Sequence, residues 1–423
     1  MNEHIGGKKR VLLLLSPATY RAGAFQQAAE KLGLEVAQGV DMAEELAAHW
    51  RVPLALRFAD PDAAVATVLE YAREHPLDAV LSVDDSATIL AARIGEALGL
   101  PHNSPDAAVA ARDKYEMRRM LAAGHVRVPR FERFPLNADP AQVAQQVEYP
   151  CVLKPLRLSG SRGVMRADDA ASFIVAWRRL ARMLLAEGNR PEHTHILVEA
   201  FIPGFEVALE GILTDGALRV LALFDKPDPL DGPFFEETIY VTPSRRPIPV
   251  QEAIAARTQQ AAAALGLRTG PVHAELRVND YGAWLVEMAG RSIGGHCSDV
   301  LRFGAAMRLE ELILRHAVGL DIQGYSRDDH AAGVMMIPIP RGGMLTTVTG
   351  VEEARAVPGV DDVRITAKLN QPLVPLPEGA SYLGFIFAHG GDPARVEAAL
   401  RAAHSCLRFN IKPHIPLLAT GMV

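Results

Sequence analysis

Cysteine is scarce in this chain: Cys151, Cys297 and Cys406 are the only three in 423 residues, far apart and without metal-ligand spacing. That excludes a disulfide framework and a cysteine-built zinc site, and it points to a reducing, cytoplasmic setting. Basic charge is not in excess either. A net charge of −6 argues against a general nucleic-acid binder, which would carry a basic stripe. Long apolar runs are missing, and nothing approaches the roughly 18 residues of a membrane span. The opening Met1–Arg10 is followed by only five apolar residues, Val11–Leu15, and then Ser16-Pro17. That run is too short for a signal-peptide core and reads as a first buried parallel strand. Aromatics are held to 6%, and no internal repeat or low-complexity tract occurs.

What is present is a globular composition, 49% hydrophobic and 22% charged, on a chain too long for one ordinary core. Residues 1–110 alternate apolar runs with helical patterns, which predicts a doubly wound α/β lobe. Within it, Val83-Asp84-Asp85-Ser86 falls where a strand meets a helix start. This is either a ligand crevice or an N-cap at Ser86 or Asp85, and capping is the plainer reading. Residues 111–195 form a compact second unit, with a helix opening at Asp113-Lys114. Residues 196–325 turn strand-rich, with strands expected over Glu206–Leu213, Leu218–Asp225, Phe234–Val241, Val272–Val278 and Ala283–Met288. A helix is expected over Val300–Ala317. Residues 326–423 read as a small α+β lobe.

The segment Tyr149-Pro-Cys-Val-Leu-Lys154-Pro runs directly into Ser159-Gly160-Ser161-Arg-Gly163. A lysine at the end of an apolar strand supplies a point charge, and the two glycines let backbone N–H groups close on anionic oxygens. Lys154 has apolar neighbours, an odd place for a solvated side chain. Lys114, on a polar helix start, reads equally well as a surface lysine. Leu197-Val-Glu199-Ala200-Phe-Ile202 runs through Pro203-Gly204 to Glu206. A bare hairpin would place acids there too, but an apolar strand entering a hinge also offers backbone groups to an adenine edge, with a following glutamate for ribose hydroxyls.

Strand alternation puts His273, Glu275 and Arg277 on one face, while Glu287 ends the next predicted strand. Acids brought side by side repel unless a cation lies between them, and oxygen-only ligands suit magnesium. Neither His273 nor His296 has a close histidine partner, so zinc is rejected and His273 is expected to orient Glu275. Arg291-Ser-Ile-Gly294-Gly295 then offers a guanidinium fork and close backbone approach at an expected helix start near Asp299.

Taken together and in this order, these residues resemble the ATP-grasp carboxylate–amine ligases over roughly residues 10–320. The resemblance implies an ATP-grasp fold combining α/β and α+β parts: the N-terminal lobe, a central flap lobe, an antiparallel-sheet nucleotide lobe and a C-terminal lobe. It implies ATP and Mg2+ as cofactors, with Mn2+ as a substitute. Lys114 and Lys154 would be the nucleotide lysines, Ser159, Gly160, Ser161 and Gly163 the flap, Glu199, Ala200 and Ile202 the adenine hinge, and Glu206 the ribose acceptor. Glu275 and Glu287 would hold metal. Arg291, Lys154 and Gly294 would be catalytic, and Arg291, Gly294 and Gly295 would also face substrate.

Within the superfamily the chain looks most like the L-amino-acid ligases that make dipeptides, a branch that includes carnosine-synthase-like enzymes. Phe234-Phe-Glu-Glu237-Thr resembles that branch's substrate-side strand, with Glu237 receiving an amino group, and the lobe after about 330 resembles its C-terminal domain. One departure stands out: where many ATP-grasp enzymes carry Glu-x-Asn-x-Arg, this chain has Glu287-Met-Ala289-Gly-Arg291. The implied reaction joins an amino-acid carboxylate to an amine through an acyl phosphate, with small-molecule partners, neither nucleic acid nor membrane, and a homodimer as the default assembly. The rival readings are a biotin-carboxylase-like or purine-pathway enzyme activating bicarbonate or formate, and a degenerate ATP-binding module.

Overall fold

The computed structural model describes residues 8–413 apart from 18, 51, 53 and 189. The first seven residues of the opening segment therefore lie outside the described part. The chain divides into two compact units, each drawn from separated stretches.

The first unit takes the chain up to Val128, Val207–Phe224 and Arg246–Asp329. Its N-terminal sheet runs Leu54–Leu56, Glu35–Asp41, Arg10–Leu15, Ala79–Ser82, all parallel. Val11–Leu14 are at most 1% exposed, as a central parallel strand covered on both faces must be. Helices Ala22–Lys31, Pro61–Glu74 and Thr88–Leu98 accompany the strands in alternation. The strand Glu35–Asp41 and the helix Pro105–Arg112 escaped the sequence reading. The first carries Gln38 and Gly39 amid its apolar residues, and the second is mostly alanine.

The second sheet region of this unit is ordered Gly282–Ala289, Gly270–Asn279, then the strands that begin at Phe205 and Ala217. Helix Ile248–Leu265 packs against it. The expected helix over Val300–Ala317 is shorter, Leu309–Ala317, and Cys297–Val300 is a 3-10 turn. Between them Phe303 bridges Met307 and Arg327, so backbone pairing takes residues that a long helix would have claimed.

The second unit takes Pro129–Glu206, Asp225–Arg245 and the chain from His330. One antiparallel sheet runs Phe131–Pro135, His195–Ala200, Cys151–Pro155, Met165–Ala167. Helix Ala170–Ala186 covers it with Phe173, Trp177, Leu180 and Leu184. Asp169 starts that helix by accepting from the Ser172 amide. Another antiparallel set runs Ile239–Thr242, Ala331–Ile337, Gly384–Gly390, Val360–Ile365, with helix Pro393–Cys406 packed on it. A three-stranded sheet of Pro372–Leu373, Gly343–Thr349 and Arg408–Lys412 completes the unit. The strand expected over Phe234–Val241 begins only at Ile239. Pro233 has no amide to donate, and Phe234 keeps a single bridge to Met165.

Candidate functional site

In the first unit, Glu275 and Glu287 face each other in register on the paired strands Gly270–Asn279 and Gly282–Ala289. Residues paired across antiparallel strands share a face, so the two carboxylates are held side by side, as their strand positions predicted. Their side chains are 19% and 34% exposed, within reach of a ligand yet sheltered. Lys114 Nζ donates to Glu287 Oε1 at 3.4 Å. It sits on the first turn of helix Lys114–Ala123, which Asp113 caps by accepting from the amides of Tyr115 and Glu116. A buried lysine beside a carboxylate pair is not a solvated surface lysine. Ala289, at the end of the second strand, brings no oxygen donor.

Behind Glu275 lies a buried chain of charge. His273 Nε2 is 3.5 Å from Glu275 Oε1, and its Nδ1 is 3.6 Å from Glu210 Oε2. Burial opposes charge on this imidazole, but the two carboxylates outweigh it and push the pKa up to about 9. Glu210 is fully buried, and that burial pushes its carboxyl up from the ordinary value. Its Oε2 also accepts from the Ile293 amide at 2.9 Å, which ties the strand Phe205–Thr214 to the loop after Arg291.

Arg291 forks onto Asp85, with Nε to Oδ1 at 2.9 Å and Nη2 to Oδ2 at 2.7 Å. Burial opposes the charge of Asp85, but Arg291 prevails and holds its carboxyl below the usual range. Asp84, not Asp85, is the cap, accepting from the Ser86 amide. The capping reading, which offered Ser86 or Asp85, thus finds a cap one or two residues too late, and the partner of Asp85 is two hundred residues away. Gly295 and His296 both have positive φ, 59° and 57°. Burial pushes the pKa of the Tyr20 hydroxyl up from its ordinary value, and the Tyr20 and His296 rings lie 4.5 Å apart. No long helix begins here, so the helix N-terminus expected beside Gly294 and Gly295 is absent from this point of the chain. Arg21 braces the same loop, donating to Ser292 O at 3.1 Å and to its hydroxyl.

In the second unit Lys154 lies on the strand Cys151–Pro155, every residue of which is buried. Its Nζ is 2.6 Å from Glu199 Oε2 on the paired strand. Sequence reasoning assigned these two to different parts of a nucleotide, whereas the sheet makes them one ion pair. The amide of Ala200 donates to Arg130 O at 2.9 Å and that of Phe201 to Pro150 O at 3.0 Å. What Ala200 can offer an adenine edge is therefore its carbonyl, followed by Ile202. Lys226, which the sequence reading passed over, is 4% exposed and bonds Glu206 at 2.7 Å and Glu237 at 3.0 Å. Its ammonium also lies 4.9 Å from the Tyr240 ring centre. Glu237, expected to receive a substrate amino group, accepts here from the ammonium of Lys226 in its own chain. The signal was faint: one lysine after the apolar run Leu221–Phe224 and just before Pro227. In the glycine loop, Gly160, Ser161 and Gly163 all have positive φ. A Cβ at Gly163 would lie 2.9 Å from Leu180 Cδ1, so that position takes glycine alone.

Hard oxygen donors in register, a lysine beside one of them and histidine behind the other fit a divalent cation such as magnesium. Among the described residues, no helix is long and apolar enough to cross a membrane.

Family comparison agrees with this chemistry. Residues 147–300 match the ATP-grasp domain, 26–102 the ATP-grasp N-terminal domain and 335–412 the L-amino acid ligase C-terminal domain 2. Dapdiamide A synthase of Enterobacter agglomerans is 26% identical over an alignment covering 55% of each chain. Alanine–anticapsin ligase of Bacillus subtilis is 27% identical, over 54% of this chain and 52% of that one. The chain thus spans about half the length of these two relatives. Among solved structures, an L-amino acid ligase from Bacillus licheniformis superposes with a TM-score of 0.78 at 25% identity, covering 96% of this chain and 99% of that one.

Proposed function

We propose, for a chain that belongs to the ATP-grasp carboxylate–amine ligases, that it joins the carboxylate of one amino acid to the amino group of a second, converting ATP to ADP and phosphate. The observation that carries this reading is the in-register pair Glu275 and Glu287 with Lys114 beside it, a station for a cation and the phosphates it accompanies. The C-terminal match at residues 335–412 favours an amino-acid ligase over a bicarbonate- or formate-activating enzyme, as does Ala289.

Glu275 and Glu287 would hold magnesium, or manganese in its place, which would supply charge to offset the phosphates. Lys154, Lys114 and Lys226 neutralise phosphate oxygens. Glu199, Ala200 and Ile202 meet the adenine edge and Glu206 the ribose hydroxyls. The amides of the Ser159–Gly163 loop cover the phosphates. The carboxylate of the first amino acid attacks the γ-phosphorus in line, the bond to the β,γ-bridging oxygen breaks, and an acyl phosphate and ADP result. Arg291 steadies the transferring group and, with the amides at Gly294 and Gly295, the tetrahedral oxyanion formed as the second amine attacks. Inorganic phosphate then leaves and the amide remains. Glu237 holds a substrate ammonium in place of that of Lys226, which is drawn toward phosphate. We further propose a cytoplasmic homodimer.

A matrix of amino acids and amines, assayed for ADP, AMP and phosphate with hydroxylamine as a trap, tests this reading. ADP release and a hydroxamate that depend on an amino acid are expected. AMP release would overturn the mechanism, and ADP release driven by bicarbonate or formate would overturn the substrate class.

A further inference from the structure

The C-terminal lobe has no part in the chemistry above, yet within the second unit its turn at residues 375–380 lies against the glycine loop. The Gly163 amide donates to Pro377 O at 2.9 Å, and Arg162 Nε donates to Glu378 O at 2.7 Å. The Glu378 side chain takes a two-pronged bond from Arg179, at 2.6 and 2.8 Å. Arg179 belongs to helix Ala170–Ala186, which backs the loop, and its guanidinium lies 5.1 Å from the centre of the Phe234 ring. Arg162 also pairs with Glu187 just past the end of that helix. Gly379 closes the turn by donating to Pro375 O at 2.9 Å, and a Cβ there would come within 1.8 Å of Val374 O.

We infer that Glu378 is a positioning residue: through Arg179 and its own carbonyl it holds the Ser159–Gly163 loop in shape, so the C-terminal lobe sets the closure of this loop over nucleotide. Three residues of the loop sit in the left-handed region, an arrangement a free loop adopts only part of the time. Carbonyl acceptors fixed by a neighbouring turn remove that freedom before a ligand arrives, which lowers the ordering cost of binding. The Arg179 hydrogen bonds hold the Glu378 carboxyl below its ordinary value, so the clamp stays charged across the neutral range. This inference rests on reading Ser159–Gly163 as the nucleotide flap.

The test measures hydrogen exchange of the loop amides and ATP kinetics in the full chain for Glu378→Gln, Arg179→Gln and the pair. Both partners are about one-third exposed, so the pair is screened, and each single change is expected to speed loop exchange and raise the KM for ATP roughly fivefold, with a smaller change in kcat. The double variant should add little to either single one, because the two groups act as one contact. Gly379→Ala, which displaces the turn, should give a larger change in the same direction. Loop exchange unchanged in all variants overturns the clamp. Faster loop exchange with an unaltered KM for ATP confirms the clamp but overturns the assignment of the loop to nucleotide, so the two failures are told apart.

Discussion

Glu210 has its whole side chain out of water, one oxygen on the Ile293 amide and its charge turned toward His273. Glu210→Gln preserves shape and can keep the amide bond, but it removes the charge that holds His273 protonated beside Glu275. Supporting groups of this kind typically change metal affinity by about tenfold or more. Half-saturation by magnesium should therefore rise by about that factor while the unfolding midpoint moves little. Titrating ligation against magnesium concentration checks it. The same triad sets a pH dependence. A folded pKa of about 9, above the ordinary 6.5, means that His273 contributes stability fully below pH 6.5 and loses it as pH rises through 9. Without added magnesium, urea midpoints should fall across that window, and His273→Gln should flatten the fall. Lys154→Ala should cut ligation by about a hundredfold or more, as loss of a preorganised charge at a phosphoryl site does. Calorimetry should show the fold retained, while unchanged turnover would refute the assigned role. The strand positions of Lys154, Glu199, Glu275 and Glu287 were legible because strand period and apolar neighbours mark each locally. Asp85 and Lys226 were not, because what defines them is a partner brought in by the fold.

Among elements, the parallel strand Val11–Leu15 and the hairpin around Asn279–Gly282 could be read directly, since five apolar residues or alternation about a turn has one good solution. The stretch Val300–Ala317 could not. Its apolar residues serve a helix only from Leu309, and before that they serve an irregular bridge through Phe303. Gly343–Thr349 escaped for the opposite reason: its glycine pair looks like a turn, but Gly343 lets the strand lie against Lys412 O. Gly350, at the end of the same strand, has φ +82, and a Cβ there would meet Cys406 O at 2.0 Å. Gly350→Ala should destabilise the C-terminal lobe by roughly 2 kcal/mol or more, since strain and overpacking combine. Denaturant unfolding followed by protease sensitivity of residues 340–413 would show it.

For the molecule as a whole, the sequence revealed the order of lobes more readily than their makeup, because local patterns report neighbours in sequence and not partners in space. Ile239–Thr242 pairs with Ala331–Ile337, so residues from the expected nucleotide lobe and the C-terminal lobe share one sheet. A chain cut before His330 should be insoluble, with Ile239–Thr242 left as an apolar edge strand paired on one side only; sedimentation of the expressed fragment checks this.

The interleaving also bears on how the protein is made. Ile239–Thr242 leaves the ribosome long before Ala331–Ile337 exists to cover it, and the first compact unit likewise waits for residues up to Asp329. At typical synthesis rates of about 5–20 residues per second, that strand is left waiting for several seconds, a window in which a chaperone has something to hold.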